Sequence, residues 1–446
     1  MFVNNIIKNE VIYPYLTQPV EIYERENGHK IVMAHKEGGL VNISSWVKTG
    51  SINENDANNG ISHFLEHLMF KGTHKHKAGY FDKTLESKGA IVNAATWKDY
   101  TFYYVTLPKG PDNAYFNEAI ELHADMMLDP IIPEDEIGPA FTLGDDSVSQ
   151  KRERHVVIEE IRMRQDQPWT KVYNSTNKNM YTNHPYKRDV IGFPETIATI
   201  PRETILDYYK THYTPNNITT IIVGDFNHEK LLEKVCNEFD FAGRANFNNP
   251  KHQQDVPVQE PKFIELNGKI NTGFLITGWL GPVARDLKDN IGLEIINIIL
   301  GEGQSSRLYQ NLIEKSDNPV FNVLATDFYN FKDGGNFFVQ ANFKAEQKDF
   351  AISLLNNEVE KIANGDITES EFQKAKKKLK VRFAESAETV SDIAENIGYY
   401  MTVCDDLDLV ERYLEDLELY TIDDANQVAQ KYLSLQNSVT TVLLPE

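Results

Sequence analysis

The same order of elements is written twice along the 446 residues, and this constrains the fold more than any single motif. In the first half a strand-like VNISSWVKTG (41–50) leads through a polar loop to an apolar helix, GISHFLEHLMF (60–70). In the second, TGFLITGWLG (272–281) leads through VARDLKDN to a helix around IGLEIINIIL (291–300). Each half then reaches an aromatic strand, TFYYVTL (101–107) or NFFVQANF (336–343). A long helical region follows, 113–127 or 348–365, and then an acidic helix start, IPEDEI (132–137) or ITESEF (367–372). Further helices and a closing strand end each half, NITTIIVGDF (217–226) and NSVTTVLLP (437–445). Internal similarity of this kind signals a duplicated unit. The stretch 241–260 is polar, rich in Asn, Gln and Pro, and reads as a linker. The expectation is α+β: two homologous domains, 1–240 and 261–446, joined by 241–260. Each is a mixed or antiparallel sheet covered by helices.

Charge and cysteine usage exclude several function classes. There are 45 Lys plus Arg against 66 Asp plus Glu, a net charge of −21. Such a surface repels nucleic acid and anionic membranes and attracts cationic partners. The two cysteines, Cys236 and Cys404, are too far apart for a CxxC metal site or a disulfide framework. No stretch approaches the ~18 apolar residues of a membrane span. The N-terminus shows neither a signal peptide nor an Arg-rich transit pattern. Cytoplasmic is the default localisation.

The chemistry concentrates in His63-Phe64-Leu65-Glu66-His67. Two His at i and i+4 on a helix have Cβ atoms about 5–6 Å apart. Both imidazoles then reach one Zn2+ at about 2.0–2.1 Å. Glu66 points to nearly the same side and is positioned to hold and deprotonate a water. Ser62 or Asn59 would cap the helix, and Ile61, Phe64, Leu65, Leu68 and Met69 supply its apolar faces.

A third ligand is sought in KRERHVVIEEIRM (151–163). Glu153 and Glu160 are two helical turns apart and share a face. Val156, Val157 and Ile161 are the expected buried stripe. Glu160 would complete a His2Glu set with an open fourth position. Glu153 would orient a ligand imidazole. Glu159 is the rival ligand, about 100° round the helix.

These motifs resemble those of the pitrilysin-type inverzincins, peptidase family M16. The resemblance covers nearly the whole chain: GISHFLEHLMFKGT (60–73), GAIVNAATWKDYTFYYV (89–105), ERHVVIEEIRM (153–163), DYYKTHYTPNNITTIIVGDF (207–226) and GQSSRLYQNL (303–312). It implies two homologous α+β domains and a zinc metalloendopeptidase. His63, His67 and Glu160 would be the Zn2+ ligands, Glu66 the catalytic base and Glu153 the supporting carboxylate. It also implies that peptides bind in a closed chamber as an added β-strand along AIVNAAT (90–96), with Asn93 and Ala94 facing the substrate. Basic peptides would suit the net charge.

Two departures qualify the resemblance. His67 and Glu160 are 93 residues apart, longer than usual, with 137–150 as an apparent insertion. The second-half Arg/Tyr pair of the family is missing. Ile313 stands where the Arg would be, and Val320 or Phe321 where the Tyr would be. Arg307 and Tyr309 lie nearby at a different point and are not substitutes. A homologous partner subunit, in a homo- or heterodimer, would supply the pair. The other reading is a non-catalytic structural or assembly subunit of the same family.

Overall fold

The computed structural model describes residues 6–144, 152–241 and 243–446. The first half of the chain contributes β1 (Ile7–Val11), β2 (Val20–Glu24), β3 (Lys30–His35), β4 (Leu40–Val47), β5 (Ile91–Thr96), β6 (Thr101–Pro108) and β7 (Ile218–Gly224). The second contributes β8 (Lys262–Gly268), β9 (Gly273–Gly281), β10 (Phe321–Phe331), β11 (Gly334–Phe343) and β12 (Val439–Pro445).

The strand orders are β1-β2-β3-β7-β4-β6-β5 and β10-β11-β9-β12-β8. Read from β3 and from β8, the two series are the same. The last strand of each such series is inserted beside the one that opens it, in parallel, β7 beside β3 and β12 beside β8. The remaining pairs are antiparallel. The β1–β2 hairpin extends the first sheet alone. Both sheets are mixed and covered by helices, an α+β fold built twice. All of β7 is buried, consistent with a central strand whose two faces are both covered.

The compact units are not the contiguous stretches 1–240 and 261–446. One unit comprises Met1–Arg162, Asp189–Lys251 and Ala384–Glu411, the other Met163–Arg188, His252–Phe383 and Arg412–Glu446. In the first, the helix Val390–Tyr399 lies on β4 and β7. In the second, the helix Pro168–Met180 lies on β9 and β12. Each sheet is thus covered on one side by a helix from the other half of the chain. Periodicity shows that a helix has an apolar face, but not which sheet will cover it.

Gly398 marks how closely the first of these helices approaches its sheet. Trp46 is 1% exposed, and a β-carbon on Gly398 would lie 1.9 Å from the indole Cε2. Gly398→Ala is therefore expected to destabilise the protein by about 2 kcal/mol, because overpacking outweighs the better helix propensity of Ala. A lower urea midpoint at unchanged slope would be the readout.

Of the expected insertion, residues 145–150 lie outside the described residues. Its flanks are drawn together: the Arg152 guanidinium donates to the Asp135 carbonyl at 2.9 Å, and the Glu153 N–H to Glu136 Oε2 at 3.0 Å. Cys236 and Cys404 are both buried. Among the described residues no helix is long and apolar enough to cross a membrane.

Candidate metal centre

The helix Ile61–Met69 buries Ile61, Phe64, Leu65, Leu68 and Met69. His63, Glu66 and His67 are left half-buried on its other face. Its start differs from the expected caps. The N-cap is Gly60, in the left-handed region at φ 95°, and it offers no side chain. Ser62 lies inside the helix with its Oγ hydrogen-bonded to Tyr208 OH at 2.7 Å. Asn59 turns its amide to Glu54 and to the Asp189 carbonyl.

The second contributing helix is Glu153–Gln165. It buries Arg154, Val157, Ile158 and Ile161, whereas Val156, expected in the buried stripe, is 49% exposed. The buried set repeats at i, i+3, i+4 and i+7 from Arg154. An arginine therefore takes a core position that hydrophobicity would have assigned elsewhere. Its guanidinium donates to the carbonyls of Ala198 and Ile200, both at 2.6 Å, and lies 5.9 Å from the Phe64 ring. A fully buried cation needs such partners, and here they tie the helix to the segment that carries Ala198 and Ile200.

The geometry converges on one point. His63 Nε2 is 3.8 Å and His67 Nε2 3.6 Å from Glu160 Oε2. The two imidazole rings are 4.7 Å apart at 73°. One donor atom from each residue lies within 4.8 Å of the others, the one such group among the described residues. Ligands about 2.1 Å from a tetrahedral zinc are about 3.4 Å apart, so this donor set fits that ion with small adjustments. Glu159, the rival, is exposed and ion-paired with Arg162 at 2.7 Å. It lies outside the group.

Two carboxylates flank the cluster in different environments. Glu153 Oε1 is 2.9 Å from His67 Nδ1, and Oε2 is 2.5 Å from Lys71 Nζ. Burial pushes the Glu153 carboxyl up, but these hydrogen bonds outweigh it and hold it below the usual range. Burial pulls the His67 imidazole down, and its bonds to Glu153 and Glu160 outweigh that and raise it to about 9. For Glu66 burial wins. Its carboxyl is raised despite the Thr96 hydroxyl donating to Oε2 at 2.5 Å.

Thr96 is the last residue of β5, the terminal strand of its sheet. Asn93 and Ala94 lie on that strand and do not join the cluster of His63, His67 and Glu160. Asn93 is exposed and its Oδ1 accepts from the Ala94 N–H at 2.9 Å. Sequence reasoning missed Thr96, Lys71 and Glu54. Only Lys71 left a trace, as a cation four residues after His67, just beyond the helix end at Met69. In the second unit, Val320 and Phe321 are buried. The Arg307 guanidinium donates to both Glu371 oxygens, at 2.6 and 2.7 Å, and pairs with Asp366. It is committed to its own unit.

Residues 30–193 match the family model described as Insulinase (Peptidase family M16), and residues 199–379 match Peptidase M16 inactive domain. The chain is 30% identical over 439 residues to the zinc protease PqqE of Helicobacter pylori, covering 94% of this chain and 91% of that one. It is 27% identical over 408 residues to an uncharacterized zinc protease of Streptomyces coelicolor, covering 89% and 83%. The crystal structure of a protease from Helicobacter pylori aligns with a TM-score of 0.82 at 26% identity, covering 99% of this chain and all of that one. A twice-built α+β fold, matched along nearly its whole length by such relatives, belongs to the pitrilysin-type peptidase family M16.

Proposed function

We propose that the chain is a zinc metalloendopeptidase acting on peptides or unfolded segments. The observation that carries this reading is the meeting of His63, His67 and Glu160 within 4.8 Å, with Glu66 on the same helix. In this reading those three residues hold the zinc and Glu153 orients His67 through Nδ1. When bound, the zinc supplies a Lewis acid that polarises a carbonyl and acidifies water. Glu66 accepts the proton of the attacking water and later delivers it to the leaving amine. Its raised carboxyl suits that role, and Thr96 holds one oxygen so that the other faces the reaction. Asn93 donates to the substrate.

The peptide adds as a strand along β5, its main chain pairing beside Asn93 and Ala94, which makes affinity depend little on sequence. The net charge of −21 favours basic peptides. With Ile313 in place of the family's Arg and Arg307 engaged by Glu371, a homologous partner subunit supplies the Arg/Tyr pair in a dimer. The same two residues favour the second reading, a non-catalytic assembly subunit. The separating experiment measures metal content and turnover together. One zinc per chain, peptide hydrolysis abolished by a chelator and restored by zinc are the expected results. Stoichiometric zinc without hydrolysis, alone or with a homologous partner, would favour the second reading.

A further inference from the structure

The helix that carries His63 begins without a side-chain cap of its own. Gly60 has no side chain, and none could be added: a β-carbon there would lie 2.8 Å from the Ile191 carbonyl oxygen and 2.9 Å from the Gly192 Cα. The first N–H groups of a helix have no partner inside it and must find one elsewhere. Glu54, six residues upstream and 5% exposed, provides it. Its Oε2 accepts from the Gly60 N–H at 2.8 Å and from Asn59 Nδ2 at 2.7 Å, and its Oε1 accepts from the Ser62 N–H at 2.9 Å. The carboxylate thus lies where the helix dipole is positive, and it grips the residue immediately before His63. The Ser62 hydroxyl is held in turn by Tyr208 OH, which is 3.0 Å from Thr49 Oγ1.

We infer that Glu54 is a positioning residue for the metal site, setting the first helical turn so that His63 meets His67 and Glu160. This rests on the zinc reading above. Burying a carboxylate is costly unless its oxygens are satisfied. A merely stabilising cap could be built from a surface Ser or Thr, as Thr421 is for the helix Ile422–Tyr432. Here a buried acid clamps the one turn that must not move.

The test compares Glu54→Gln with Thr421→Ala, a cap removed from a helix of the second unit. Gln keeps the volume but offers one acceptor oxygen in place of two. Both variants are expected to melt a few degrees lower. Only Glu54→Gln should weaken zinc, by about 10–100-fold in competition with a chromophoric chelator, and alter the absorption spectrum of the cobalt-substituted protein. Unchanged zinc affinity and cobalt spectrum in Glu54→Gln would overturn the inference. Should that variant not fold, amide exchange in the wild type decides: slow exchange at Gly60 and Ser62 supports the clamp, and fast exchange refutes it. A wild-type chain that takes up no zinc would sink the zinc reading itself, whereas a zinc-binding wild type with an unaffected Glu54→Gln sinks the positioning role alone.

Discussion

Glu66→Gln is expected to cut peptide hydrolysis about 10²–10⁴-fold, the usual contribution of a general base, while zinc content stays at one per chain. The substitution is nearly isosteric. The amide oxygen of Gln can still accept from the Thr96 hydroxyl that now bonds Glu66 Oε2, so the β5 end of the site should keep its place. Three of the helix's apolar contacts, Phe64, Leu65 and Leu68, are fully buried, and none is touched by the change. What is lost is a group able to take and return a proton. Turnover retained within a few-fold would remove Glu66 from the mechanism.

Exchanging the carboxylates at 159 and 160 one at a time should separate ligand from bystander. Glu160→Gln is expected to weaken zinc by about 10²–10³-fold, roughly one ligand's share of the ~10–16 kcal/mol typical of a four-ligand zinc site. Its Oε2 faces both imidazole nitrogens, at 3.8 and 3.6 Å. The helix should remain in place without it, because Arg154, Val157, Ile158 and Ile161 are the buried residues that anchor it. Glu159→Gln loses an exposed pair with Arg162, worth about 0.3–0.5 kcal/mol, and should bind zinc as the wild type does. Equal affinities for the two variants would mean that Glu160 is not a ligand.

The parts of the site set by local geometry are legible in the amino-acid order alone. His63 and His67 face one way because they are four apart on a helix, and Glu153 and Glu160 share a face because they are seven apart. That the two faces meet is carried by the family resemblance, since 93 residues separate His67 from Glu160. Thr96 and Glu54 are not legible in this way. A threonine at the end of a strand and a glutamate in a polar loop have nothing local to distinguish them from solvated neighbours. Val156 departs from expectation because hydrophobicity suggests a buried place for it, whereas Arg154 has partners inside, the Ala198 and Ile200 carbonyls, that no local pattern shows.

The elements themselves and the spacing of His63, Glu66 and His67 are properties of short stretches, and periodicities of 2 and 3.6 residues record them directly. Long-range closure decided the rest. β7 and β12 slip in beside β3 and β8, and the helices 390–399 and 168–180 each cover the sheet of the opposite half. Those choices come from matching apolar faces that many sequences would present alike, so they are settled by which surfaces fit once the whole chain is folded.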